Sequence, residues 1–271
     1  MLTASLALFA TFSISLSVKA NTSDYHNGSY GEGSFENKWQ DDLSYAWAGS
    51  DWFRAQVNNN TSTRFGTYNL HGSAQPGRWH SSCDECSSGG LETVDIVYFG
   101  THGGAFDKSV THTNPRAVWA MGDAGTLAES TKMWLGNEDD QLQILAIKSC
   151  ETMSLTEPNE SHMWKRWDSV FNGGLYVALA SHDTMYFGYY ERKAGEKFAE
   201  ELQGGAKLRY AWKDGNALWN NNQDVMALFA SDSETDCSNR RSGMTWSNTA
   251  SYGRVRDPDV DYWCSTLWDD V

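Results

Sequence analysis

Two short apolar runs constrain this chain more than any other feature. One reads Val94-Asp95-Ile96-Val97-Tyr98-Phe99-Gly100-Thr101-His102-Gly103-Gly104, the other Leu142-Gln143-Ile144-Leu145-Ala146-Ile147-Lys148-Ser149-Cys150-Glu151-Thr152. Both are short and rich in β-branched and aromatic residues, the pattern of strands buried on both faces. In an open parallel sheet, ligands gather beyond the carboxyl ends of the strands. His102 and Cys150 would therefore emerge at one edge of one sheet. A histidine beside a cysteine is the minimum equipment for nucleophilic thiol chemistry.

The remaining runs alternate between the two periods. Apolar residues at helical spacing predict helices over 38–57, 125–134, 161–171, 190–203 and 206–218. Strands are predicted over 63–70, 175–181 and 224–230. Residues 21–37, rich in Gly, Ser and Asn, read as an extended or loose arm. Strands alternating with helices predict a three-layer α/β/α sandwich around a mainly parallel sheet, with right-handed crossovers. The expected divisions are a leader at 1–20, an arm and helix at 21–92, a catalytic core at 93–230, and an irregular polar lobe carrying Trp and Cys at 231–271.

The leader reading rests on the apolar stretch from Leu2 to Val18 and on Ser17-Val18-Lys19-Ala20, small residues that suit cleavage after Ala20. It predicts an exported protein, extracellular or periplasmic, with no membrane association once the leader is removed. A net charge of −14 and a pI near 4.8 exclude the basic footprint of a nucleic-acid binder. They also disfavour docking on anionic lipid.

Five cysteines in an exported chain leave one thiol over. Cys83 with Cys86, and Cys237 with Cys264, are the candidate disulfides, which leaves Cys150 free. His80-x-x-Cys83-x-x-Cys86, with His71 upstream, also has metal-ligand spacing, although a local disulfide suits an exported chain better. Asp257-x-Asp259-x-Asp261 has part of a calcium loop but lacks the glycine and distal glutamate. No metal ligand set is assigned and no cofactor is required; a structural calcium ion is the one addition left open.

A strand ending in His-Gly, followed about fifty residues later by a strand ending in Cys, resembles the caspase-like superfold of clan CD cysteine peptidases. The run Ser149-Cys150-Glu151-Thr152 is most similar to the CHAT-type domains of that group. The third strand to Asp183, Phe198-x-x-x-Leu202-x-x-Gly205 and Ala211-Trp212 extend the likeness over about residues 92–215. The resemblance implies a peptide or protein substrate cleaved by a His102–Cys150 dyad through a thioester. It further implies an oxyanion hole from the backbone N–H groups of Gly103 and Cys150, and a substrate pocket near Ser181, His182 and Asp183. Asp183 has two readings: it faces a basic P1 side chain, or it caps the next helix. Two other functions stand beside the peptidase: a catalytically inactive caspase-like binding protein, and a Trp-rich secreted protein that binds carbohydrate or another ligand.

Overall fold

The computed structural model describes residues 24–29, most of 49–57, 64–70, 95–106, 115–121, 126–136, 142–155, 161–185, 193–217, 223–256 and 259–268. The leader, His71, His80, Cys83, Cys86 and Asp257 lie outside them.

Ten strands and four whole α-helices are described, together with helical residues within 49–57. The strands are β1 (Asp24–Ser29), β2 (Arg64–Leu70), β3 (Ile96–Gly100), β4 (Gly103–Phe106), β5 (Arg116–Met121), β6 (Thr126–Glu129), β7 (Ile144–Lys148), β8 (Val177–Ser181), β9 (Val225–Ser231) and β10 (Tyr262–Trp268). The helices are α1 (Ser161–Phe171), α2 (Ala194–Gln203), α3 (Leu208–Asn216) and α4 (Glu234–Gly243). Seven strands form the main sheet in the order β10-β9-β8-β7-β3-β1-β2. The pairs from β2 to β8 are parallel, and the last two are antiparallel. The protein is thus an α/β sandwich on a mainly parallel sheet.

The apolar runs become central strands because each residue is buried, whichever face it takes. Side chains alternate across a strand, so one set faces each layer. Val97, Phe99, Leu145, Ile147, Ala178 and Ala180 pack with Trp167, Val170 and Phe171 of α1. Ile96, Tyr98, Ile144, Ala146, Val177 and Leu179 pack with Phe198 of α2 and Trp212 of α3. Phe53 and Val57, from the helical residues of 49–57, join this second layer. Such double-sided burial is what crossover helices impose on a parallel sheet.

Two expectations are corrected, and that for the arm is narrowed from an extended or loose segment to one holding a strand. Residues 125–134 are not a helix: β6 pairs antiparallel with β5, followed by one 3-10 turn, Ser130–Lys132. The Leu127 and Ala128 that looked helical serve a second sheet, β4-β5-β6, whose Trp119 meets Trp167 edge-on at 5.5 Å. The arm at 21–37 contains β1, which lies between β3 and β2 and takes its order from its neighbours' backbone hydrogen bonds. The region after residue 231 is not an irregular lobe. β10 runs seven residues in register with β9, and α4 packs beside both. Its alternation puts Trp263 and Leu267 against one core layer and Cys264 and Trp268 against the other. Cys237 of α4 and Cys264 of β10 are joined by a disulfide.

Candidate active site

The register of β3 and β7 positions the site. Gly100 pairs with Lys148, and the Thr101 amide donates to the Lys148 carbonyl at 3.0 Å. Two residues further on come the two candidate side chains, His102 and Cys150, both half-buried. Gly103 then opens β4 and pairs with Trp119. A Cβ at residue 103 would stand 2.9 Å from both Ser149 Cβ and Thr152 Cγ2, closer than real contacts allow. Only glycine lets the His-Gly segment press against the turn that carries the cysteine.

That turn is rigidly held. Glu151 adopts φ 53, an uncommon value for a non-glycine residue. The Ser154 amide donates to the Glu151 carbonyl at 3.0 Å, and the Ser149 and Thr152 hydroxyls share a 3.2 Å hydrogen bond. Trp167 Nε1 donates to the Thr152 carbonyl at 2.9 Å. Two further bonds staple the turn to the end of β8: the Glu151 amide to the Asp183 carbonyl at 3.1 Å, and the Met153 amide to the Ser181 carbonyl at 2.9 Å.

Cys150 carries a free thiol. Its Sγ accepts from the Met185 amide at 3.4 Å and donates to the Met185 carbonyl at 3.7 Å. Burial pushes the thiol above its ordinary range; the Met185 amide opposes this, the Glu151 and Asp183 carboxylates add to it, and Lys148 opposes it. The resting sulfur therefore holds its proton more firmly than an ordinary thiol does.

The three expected pocket residues part company. Ser181 is fully buried and faces the α2–α3 layer, so it does not line an open pocket. His182 turns toward β9: its amide donates to the Asp224 carbonyl at 2.9 Å, and its Nδ1 lies 3.7 Å from the Asp224 carboxylate. Asp183 is exposed, and its carboxylate accepts from its neighbour Thr184 at 2.7 Å. The N-cap of α2 is Lys193, not Asp183; residues 186–192, where a helix capped by Asp183 would begin, lie outside the described residues. Among the described residues, no group of three or more His, Cys, Asp or Glu could hold a metal ion.

Residue types alone did not reveal the Met185 amide, whose role is purely backbone. They did carry one overlooked signal: a lysine ending an otherwise apolar strand. Lys148 is 2% exposed, and its Nζ donates to Asn216 Oδ1 at 3.2 Å and Gln223 Oε1 at 3.1 Å.

Residues 33–266 match the model of a family described as a domain of unknown function, DUF6345, and the chain belongs to that family. No curated protein matches it. Among solved structures it is similar to the crystal structure of protein GSU0716 from Geobacter sulfurreducens. The identity is 11%, over 70% of this chain and 86% of that one, with a TM-score of 0.37.

Proposed function

We propose that this member of the DUF6345 family is an exported cysteine endopeptidase acting through His102 and Cys150. The observation that carries the reading is the close approach of Gly103 to Ser149 and Thr152, which sets the residue after the histidine against the cysteine turn. His102 takes the Sγ proton as general base. The thiolate attacks the scissile carbonyl carbon, and the oxyanion is received by the backbone N–H groups of Gly103 and Cys150. The C–N bond then breaks, His102 protonates the leaving amine, and a thioester remains. Water, activated by the same imidazole, attacks the thioester and releases the acid and the thiol. A protonated resting thiol suits this order, because charge forms on sulfur only when substrate is in place.

Glu151 and Asp183 flank the sulfur closely enough to disfavour its negative charge. The same two carboxylates favour a basic P1 residue, Lys or Arg. The deciding experiment presents a fluorogenic peptide library, varied at P1, to the purified protein and to Cys150→Ala. Cleavage after Lys or Arg that disappears in the variant is expected. Equal cleavage by both proteins would refute the dyad.

A second reading has its own observation. A cleft of about 330 Å³ lies over the disulfide, lined by Trp164, Tyr262 and Trp263 with Glu234 and Arg241. Aromatic faces with charged groups between them suit a carbohydrate or another polar ligand. Tryptophan fluorescence titrated with oligosaccharides tests this, and a flat titration removes it.

A further inference from the structure

Lys148 ends a strand whose other residues are all apolar, and it is buried as completely as they are. A methionine or leucine would fill that position without desolvating an ammonium group, which is costly even when paired. The fold instead commits two more buried polar residues to it. Asn216 is the last residue of α3 and is 1% exposed; Gln223 precedes β9 and is fully buried. Both turn their amide oxygens to Nζ. The Asn216 amide is fixed in that sense because its Nδ2 donates to the Trp212 carbonyl at 2.9 Å. Two polar atoms at the same end of the sheet, Gln223 Nε2 and Ser181 Oγ, have no hydrogen-bond partner among the described residues. Such an arrangement is poorly suited to stability alone.

What these groups share is their place behind the cysteine. Continuing the register of β7 and β8 two residues past Ala146 and Leu179 brings Lys148 beside Ser181. Lys148 ends β7 two residues before Cys150, and its partner Asn216 lies on α3, in the layer against which Cys150 packs. Cys150 packs against the core layer that contains Ile144 and Ala146. The charged groups that act on the sulfur are Glu151 in its own turn, Asp183 after β8 and Lys148 at the end of β7; His102 follows the neighbouring strand β3, and the His182–Asp224 pair joins the ends of β8 and β9.

We propose that Lys148 is a positioning residue for Cys150: its buried ammonium, aimed by Asn216 and Gln223, stabilises negative charge on Sγ. The cation stands behind the nucleophile, where it favours the thiolate without competing for the space that a substrate occupies. Its consequence for cleavage rests on the peptidase reading; its effect on the thiol does not.

The test follows the Cys150 thiol by the ¹³Cβ shift of cysteine-labelled full-length protein, with Cys150→Ser identifying the resonance. In Lys148→Met the titration midpoint should rise by about one pH unit, while Lys148→Arg, which keeps the charge, should stay near the wild type. Lys148→Gln keeps a polar side chain on the two amides without the charge, and it decides the matter if the methionine variant does not fold. A folded neutral variant whose midpoint is unmoved overturns the proposal, whatever its stability. The alkaline shift should reappear in the pH profile of peptide cleavage. If the midpoint moves but the wild type cleaves no peptide, the peptidase reading fails and the role of Lys148 stands. If the wild type cleaves and the midpoint is unmoved, the reverse holds.

Discussion

The two described cysteine sites occupy different places on the same sheet and are built differently. Cys237 and Cys264 tie α4 to the edge strand β10, and the bond spans 27 residues of chain. Cys150 stands on a central strand end with a free thiol, between a backbone amide, two carboxylates and a buried lysine. One site is a cross-link whose value is to restrict the unfolded chain. The other places buried polar groups where an apolar side chain would have packed, the arrangement from which the proposed thiol chemistry is argued. The contrast teaches that cysteine placement, not cysteine number, separates a cross-linked sulfur from a free one.

The largest effect expected from breaking this contrast comes from Cys150→Ala, which should lower peptide cleavage by about 10⁴-fold or more. Its melting temperature should change little, because the thiol makes no covalent tie. A cleavage assay with a parallel thermal melt tests both halves. Gly103→Ala comes next. The added methyl meets Ser149 and Thr152 at 2.9 Å, so the His-Gly segment must retreat. A loss of about 100-fold in kcat/KM is expected, typical of one misplaced oxyanion donor. Activity within twofold of wild type would disprove the close-approach argument.

Removing the cross-link should do the opposite. Cys237→Ser with Cys264→Ser is expected to cost about 3 kcal/mol in denaturant unfolding while cleavage at Cys150 persists below the melting temperature. Loss of activity in the folded double variant would tie the two sites together. The smallest effect concerns pH. Burial raises the Cys150 thiol in the folded state, so the folded chain holds that proton longer than the unfolded one. Stability should therefore fall as pH rises through and above the ordinary thiol range, and the slope should be shallower in Cys150→Ala. Equal slopes across that window would contradict the buried, protonated thiol.

The fold class was legible because double-sided burial leaves an unmistakable mark. Residues 96–100, 144–147 and 177–180 are uninterrupted apolar runs, and α1 follows the helical spacing of Trp164, Trp167, Val170 and Phe171. β10 was not legible in the same way. Its Tyr-Trp-Cys-Ser-Thr-Leu-Trp alternates between two layers, but aspartates precede and follow it, and its pairing partner is fixed only by β9. The helix expected over 125–134 failed for a related reason: four residues suit either period, and pairing with β5 decided for strand.

At the site, the strand-end positions of His102 and Cys150 could be read directly, since a parallel sheet sends its carboxyl ends to one edge. The sorting of Ser181, His182 and Asp183 could not. Successive residues leave a strand in opposite directions, and only the positions of α3 and β9 decide which direction is core.

By itself, the sequence determined which segments must be buried, that they would form a largely parallel sheet, and that His102 and Cys150 would follow the ends of two of its strands. It could do so because burial and strand period are local properties, written in neighbouring side chains. Only the tertiary structure decided that Gly103 presses on the cysteine turn, that the Met185 amide reaches Sγ, and that Asn216 and Gln223 converge on Lys148. Those contacts join residues up to 75 positions apart, and nothing in the local sequence encodes a distance across a packed core.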